Sequence, residues 1–171
     1  MNVIPLLIWL GVLGGPSEIL DSSETHFRLR TSFRVSATAD KAYEALVEDV
    51  DKWWHPDHTY SGDSEKLSIE ARAGGCFCEQ LEDGGSVRHL EVVYVEPRHM
   101  IRLTGGLGPL QELAAAGMMA ISFDEDELGT EITLEYKVSG HYEDGMDSLA
   151  PAVNEVLSIQ LSRLGAYIEG R

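Results

Sequence analysis

The sequence has 171 residues, of which 43% are hydrophobic and 25% are charged, so length and composition fit one globular domain and exclude a disordered chain. Lysine and arginine number 13 against 29 aspartates and glutamates, which gives an acidic protein with a formal net charge of −16. Such a surface repels phosphate, and the chain has no basic cluster to offset it. We therefore expect no nucleic-acid partner and no membrane insertion of the mature domain.

The first 24 residues are predicted to be an apolar N-terminal segment ahead of a domain at 25–171. The apolar run Val3–Leu13 is shorter than the roughly 20 residues that span a bilayer, but it has the length of a signal-peptide core. No Lys or Arg follows Met1, and no clear cleavage site is present. Two alternatives stay open. A signal peptide predicts an exported, periplasmic protein, and an arm that packs on the domain or on a partner predicts a cytoplasmic one.

The predicted domain opens with a strand and two short helices. Residues alternate between apolar and polar over His26–Val35, which indicates a half-buried strand. Thr38 then has the character of an N-cap for a helix over Ala39–Val47. A second short helix is predicted over Asp49–Trp54, and Pro56 ends it.

A series of strands follows, separated by glycine-rich turns such as the one at 83–85. The clearest is the last, in which apolar and polar residues alternate and so give one dry face and one wet face. The predicted strands are Leu67–Ala71, Cys76–Leu81, Val87–Val95, Met100–Thr104, Met118–Phe123 and Glu131–Ser139.

The chain closes with its longest periodic helix, over Leu149–Ile168. Apolar residues recur there every three or four positions and form one continuous stripe, which must be covered by the dry face of a sheet. We therefore predict an α+β fold in which a curved antiparallel sheet of six to seven strands wraps around a long C-terminal helix, with two short helices after the first strand.

This order of elements resembles the helix-grip fold of the START-like (SRPBCC) superfamily, which includes the birch-pollen allergen. Within it, the chain is similar to small proteins grouped with the activator of heat-shock protein 90 ATPase homologues. The similarity covers Thr25 to about Gly170 and is carried by short segments in a specific order. These are Phe33–Val35, Ala42–Leu46, Trp53-Trp54, Gly74–Phe77, Val87–His89, Glu96-Pro97, Leu103–Leu110, Gly129-Thr130 and the closing helix.

The resemblance implies a cavity between the sheet and the long helix that holds a hydrophobic or aromatic small molecule. It implies no single reaction, because one fold hosts many functions. Three functions stay open: a carrier or sensor without activity, a cyclase or dehydratase acting on a polyketide or aromatic compound, and a protein-binding module similar to the chaperone ATPase activator. We expect no cofactor and a monomer or homodimer, and a protein partner stays open.

The predicted cavity walls come from the dry faces of the strands, the helix stripe and an aromatic rim at 53–60. They are almost wholly apolar, with the hydroxyl of Tyr136 as a polar exception. The predicted ligand-binding residues are Trp53, Trp54, Tyr60, Ile101, Leu103, Met119, Ile121, Phe123, Leu134, Tyr136, Val153, Leu157 and Leu161.

His89 and Glu91 are the candidate catalytic residues. They alternate along one strand and so share a face. If that face is concave, an imidazole and a carboxylate enter the cavity and can act as base and acid. If it is convex, they are an ordinary exposed pair, and the alternation does not decide between the two.

Three further patterns are given structural interpretations. His55, Asp57 and His58 lie in a loop broken by Pro56 and lack the converging ligands of a metal site, so no metal is expected. The glycines of 104–109 lack the lysine of a phosphate loop, and we expect this segment to cross over the cavity. Cys76 and Cys78 would lie about 7 Å apart on one face of a strand, and we expect two reduced thiols.

Overall fold

The computed structural model describes residues 17–171, and the segment Val3–Leu13, on which both N-terminal alternatives depend, lies outside that range. The strands are β1 Glu18–Ser23, β2 His26–Val35, β3 Leu67–Ile69, β4 Cys76–Gln80, β5 Ser86–Glu96, β6 Met100–Thr104, β7 Ala114–Asp126 and β8 Gly129–His141. The helices are α1 Ala39–Glu48, α2 Val50–Trp53 and α3 Ala150–Glu169.

The strands form one antiparallel sheet in the order β1-β2-β8-β7-β6-β5-β4-β3, curved around α3. The predicted α+β helix-grip architecture is confirmed, with eight strands in the described part of the chain rather than six to seven. The additional strand, β1, lies inside the segment 1–24 and pairs with β2, with Ser23 opposite His26. Because β1 is a mostly exposed edge strand, it lacks the apolar alternation by which strands are recognised in a sequence.

α3 packs across the sheet through the C-terminal part of its stripe, mainly against β2. Leu157, Leu161, Leu164 and Ile168 are buried there, as the periodicity predicted. Leu149 and Val153, in the first turns, are only half buried. None of the helices within 17–171 is long and apolar enough to cross a membrane.

β5 contains a bulge that reverses the direction of one side chain. Phe77 on β4 lies opposite Leu90, but the next residue, Cys78, lies opposite Arg88, so His89 is an extra residue without a partner across the ladder. His89 and Leu90 are consecutive and both buried, which a regular strand does not permit. The bulge therefore sends His89 into the interior.

Beside the bulge, in β4, Cys76 and Cys78 form a disulfide. The expectation of two reduced thiols is thus wrong for this structure. The Cα atoms of the two cysteines lie 5.4 Å apart, within the range that a disulfide spans and less than the expected separation along a flat strand. The pairing irregularity between Phe77 and Cys78 coincides with this shortening.

Candidate ligand-binding site

A partly open cavity of about 550 Å³ lies between the first turns of α3 and two loops, 54–60 and 107–113. Most of its lining is apolar, and polar groups lie at its rim and at one buried point. The lining residues are Trp54, Asp57, His58, Thr59, Tyr60, His89, Leu107, Gly108, Pro109, Leu110, Glu112, Leu113, Tyr142, Leu149, Ala152, Val153, Val156 and Leu157.

The cavity exists because the apolar stripe of α3 continues toward the start of the helix, beyond the part that the rest of the protein covers. Leu157 is buried, with 2% of its surface exposed, whereas Val153 and Leu149 face the cavity and are half buried. Apolar side chains at such positions lose the stabilisation that burial would supply. The open part of the stripe is therefore a surface suited to an apolar ligand.

The loop 107–113 is fastened to the sheet by Tyr136 of β8. The Tyr136 hydroxyl donates to the carbonyl of Gly105 at 2.9 Å and accepts from the amide of Leu107 at 3.0 Å. Gly106 permits the tight fold of this loop, since a Cβ atom there would lie 2.8 Å from the carbonyl oxygen of Leu110. As expected for this glycine-rich segment, the chain crosses beside the cavity.

The first part of the loop 54–60 is fastened to α3. Gln160 Oε1 accepts from the amide of His55 at 2.8 Å, and Arg163 Nε donates to the carbonyl of Trp53 at 2.7 Å. Within the loop, Trp54 Nε1 donates to the carbonyl of His58 at 3.0 Å. These bonds hold the aromatic rim against the helix.

A buried, hydrogen-bonded pair, Glu79 and His89, lies at the inner end of the cavity. Glu79 has no exposed surface, and its oxygens accept from the amides of Ser61 at 2.6 Å and Tyr60 at 3.1 Å and from Nε2 of His89 at 2.9 Å. His89 is 4% exposed, lines the cavity and lies between the rings of Phe77 and Tyr60. Its second ring nitrogen, Nδ1, is buried and has no hydrogen-bond partner among the described residues.

The surroundings keep His89 neutral and Glu79 charged. Burial lowers the pKa of His89, and the bond to Glu79 only partly opposes this effect. Burial raises the pKa of Glu79, but the hydrogen bonds from Ser61, Tyr60 and His89 outweigh it, so the net pKa is lowered. A neutral imidazole that donates through Nε2 to a carboxylate has a lone pair on Nδ1. That nitrogen can accept a hydrogen bond or a proton.

The rim of the cavity is electronegative. Asp57 and Glu112 line it from the two loops, and no lysine or arginine of the described chain takes part in the lining. Tyr60, which is 47% exposed, also lies at this rim. Burial raises the pKa of Tyr60, and the negative charges of Glu112 and Glu79 raise it further.

Four of the predicted ligand-binding residues, Trp54, Tyr60, Val153 and Leu157, line the cavity. Phe123 and Tyr136 line neither the cavity nor the inner void; Phe123 packs against Tyr43 with ring centroids 5.7 Å apart. The others surround a separate inner void of only about 30 Å³, because side chains fill the space between the sheet and the C-terminal part of α3. Those residues are Trp53, Ile101, Leu103, Met119, Ile121, Leu134 and Leu161.

Of the candidate catalytic pair, only His89 faces the cavity. The bulge separates it from Glu91, which lies on the outer side and accepts from Arg88 at 3.0 Å. The acidic partner of His89 is Glu79, which sequence reasoning missed. The signal for it was present, because Glu79 follows Phe77 at a spacing of two and so shares the inward face of β4.

The histidines of the loop 54–60 do not converge with acidic residues or cysteines on a common point. Residues 17–171 contain no group of three or more His, Cys, Asp or Glu side chains placed to hold a metal ion. His55 Nδ1 accepts from the amide of Asp57 at 3.2 Å and thereby caps the turn at 56–58. The absence of a metal stays a prediction for analysis of the purified protein.

Comparison with known proteins identifies the fold and no family. No protein-family model matches the chain, and no curated protein matches it. A putative uncharacterised protein from Rhizobium leguminosarum is 17% identical, with a TM-score of 0.63 over 85% of this chain and 96% of its own. CalU16 from Micromonospora echinospora is 14% identical, with a TM-score of 0.57 over 94% of this chain and 85% of its own. DynU16, a putative protein in the dynemicin biosynthetic locus, is 19% identical, with a TM-score of 0.58 over 83% of this chain and 47% of its own. At these identities, the chain shares the fold of these proteins.

Proposed function

We propose that this protein binds a hydrophobic or aromatic small molecule in the cavity between α3 and the loops 54–60 and 107–113, as a carrier or sensor. The observation that carries the proposal is the uncovered apolar stripe at the start of α3, which faces a space of about 550 Å³. That volume falls within the range of known ligand pockets, roughly 300–1,000 Å³. An affinity in the micromolar range, about −8 kcal/mol, is expected for a probe that fills such a space.

Membership of the START-like superfamily is part of the same proposal. It is supported by the helix-grip architecture and by the similarity of this fold to CalU16 and DynU16. The closer relation to the activators of heat-shock protein 90 ATPase stays a prediction from the sequence. The fold of DynU16, a putative protein of a biosynthetic locus, is compatible with a small-molecule ligand and does not identify one.

The test is fluorescence titration with Nile red, an uncharged dye that brightens in apolar surroundings. Ala152 is exposed and lines the cavity, so Ala152→Trp fills the space without disturbing the core. Ala166→Trp introduces the same ring at an exposed position of the same helix, away from the cavity, and is the matched control. We expect at least tenfold weaker binding to Ala152→Trp and parental binding to Ala166→Trp. Equal binding to all three proteins would place the dye elsewhere and overturn the proposal.

An enzyme is the second candidate, and the Glu79–His89 pair favours it. A neutral histidine whose other nitrogen is held by a carboxylate is an arrangement suited to general-base catalysis. Nδ1 would take a proton from a carbon beside a carbonyl group, leave the electron pair in an enolate, and return a proton to that carbon. Such a step could serve a cyclase or dehydratase acting on an aromatic or polyketide compound.

Deuterium exchange tests this step without knowledge of the substrate. The probe is 2-tetralone in D₂O, with incorporation at the carbons beside its carbonyl measured by NMR. If the protein is such an enzyme, the parent protein should incorporate deuterium into the probe faster than the same concentration of His89→Phe. Equal rates for the two proteins would leave binding alone as the function.

A further inference from the structure

We infer that the ligand of this cavity is an apolar compound without negative charge that has a neutral hydroxyl or N–H group, and that this group donates a hydrogen bond to Nδ1 of His89. The inference rests on the proposed function, because it assigns the chemical class of the molecule that the cavity holds. It also gives a role to Nδ1 of His89, a buried nitrogen that has no hydrogen-bond partner among the described residues and belongs to a side chain that lines the cavity.

The first step concerns the polarity of the anchoring group. Nε2 of His89 is committed to Glu79 at 2.9 Å, so Nδ1 is the remaining polar atom of the ring, and in the neutral ring it accepts. A buried acceptor without a donor is costly, and most such atoms in native proteins are satisfied by protein, water or ligand. A ligand that satisfies Nδ1 must therefore bring a hydrogen.

The second step excludes a cationic donor at this point. The carboxylate of Glu79 already accepts three hydrogen bonds, from Ser61, Tyr60 and His89, and so has little capacity left to pair with a ligand cation. The carboxylates that are free to pair with a cation, Asp57 and Glu112, lie at the exposed rim. An ammonium group would stay at that rim, because moving it to the inner end would bury a charge without a partner. The donor that reaches Nδ1 is therefore neutral.

The third step excludes anions, including fatty acids. The lining contains two carboxylates and no lysine or arginine from the described residues, and the whole chain has a formal net charge of −16. A ligand carboxylate would be repelled at the rim and would meet an acceptor at the inner end. The cavity thus selects against negatively charged ligands, which a lipid carrier with a basic pocket would bind.

Three naphthalene derivatives that differ in one group test the inference by displacement of bound Nile red, which has no hydrogen-bond donor. They are 2-naphthol, which has a hydroxyl, 2-methoxynaphthalene, in which a methyl group replaces its hydrogen, and 2-naphthoate, which is an anion. We expect 2-naphthol to bind about tenfold more tightly than 2-methoxynaphthalene, because its hydroxyl satisfies one buried acceptor. We expect 2-naphthoate to bind most weakly. In His89→Phe the advantage of 2-naphthol over 2-methoxynaphthalene should disappear while Nile red still binds.

The outcomes separate this inference from the proposed function. Nile red binding that Ala152→Trp does not weaken would overturn both. Dye binding that Ala152→Trp does weaken, with equal affinities for 2-naphthol and 2-methoxynaphthalene, would overturn the inference alone, as would a preference for 2-naphthoate. If His89→Phe does not fold, the comparison of the three probes on the parent protein still decides.

Discussion

Nε2 of His89 lies 2.9 Å from Oε2 of Glu79, and the contact joins a bulged position of β5 to a regular inward position of β4. Without the bulge, His89 would alternate with the buried Leu90 and point to the outer face with Glu91. The same carboxylate also holds the amides of Tyr60 and Ser61, so the pair links the sheet to the loop that forms the cavity rim. Changes at Glu79 should therefore affect both stability and the shape of the rim.

Glu79→Gln should lower stability at neutral pH by about 1–3 kcal/mol, because a buried acceptor of three hydrogen bonds is replaced by a group that also donates. The pKa of Glu79 is lowered by folding, so its ionised form stabilises the protein above its ordinary pKa of 4.5, and this contribution is lost as the pH falls through the folded value. The difference between the parent and Glu79→Gln in thermal melts should shrink in that acidic range. Glu91→Gln, at a partly exposed carboxylate, is the control and should change little.

His89→Phe should make stability less dependent on pH in the interval just below 6.5. Folding lowers the pKa of His89 below its ordinary 6.5, so the unfolded chain binds the proton first and the parent loses stability as the pH falls below that value. The variant has no proton to bind at this position. Melting temperatures recorded across this interval should fall less steeply for the variant, and parallel curves would contradict the burial of a neutral His89.

Leu157→Asp should unfold the protein or cost several kcal/mol, because it places an unpaired charge at a position that is 2% exposed between helix and sheet. Ala166→Asp puts the same group on an exposed position of the same helix and should melt close to the parent. Circular dichroism against temperature compares the two. A Leu157→Asp variant that melts like the parent would show that this part of α3 does not cover the sheet.

Leu134→Trp should destabilise the fold by about 1–3 kcal/mol through overpacking. Leu134 is 3% exposed and borders the inner void of about 30 Å³, which does not have room for an indole ring. Denaturant unfolding measures the loss. Nile red affinity, by contrast, should change little while the variant is folded, since the cavity at the start of α3 does not include this residue.

The disulfide between Cys76 and Cys78 predicts that the denatured protein, kept without reductant, contains no reactive thiol. Thiol titration before and after reduction measures this directly, with two thiols expected after reduction. The double variant Cys76→Ser, Cys78→Ser should lose only roughly 1–2 kcal/mol, because so short a loop restricts the unfolded chain little. A much larger loss would contradict this account, in which the disulfide acts mainly by restricting the unfolded chain.

Periodicity was sufficient for the elements that bury a regular face. The alternation in Glu131–Ser139 and the stripe in Leu149–Ile168 predicted β8 and α3, and their mutual need for cover predicted the architecture. β1 escaped prediction because its residues are mostly exposed. The position of the cavity could not be predicted in this way. The stripe shows which residues of the helix are apolar, but it does not show how far along the helix the rest of the protein covers them.

The Glu79–His89 pair could not be predicted as a pair, because the bulge that joins its members leaves no mark in the alternation of β5. A reading of every second residue groups His89 with Glu91, and a single inserted residue breaks that grouping. The inward position of Glu79 was available from the spacing in β4. The face of β5 on which His89 lies could not be predicted from the sequence.

The 54–60 loop is anchored to both α3 and the sheet, where Glu79 accepts from the amide of Tyr60, and the 107–113 loop is anchored to the sheet. Gln160 and Arg163 bind the 54–60 side to α3, whereas Tyr136 binds the 107–113 side to the sheet. Widening the cavity at the 54–60 loop therefore means breaking bonds to both the helix and the sheet, whereas widening it at the 107–113 loop means breaking the two hydrogen bonds of the Tyr136 hydroxyl. A bulky ligand would be admitted on the 107–113 side, and the strength of the Tyr136 contacts would limit the size of the ligand that the protein accepts.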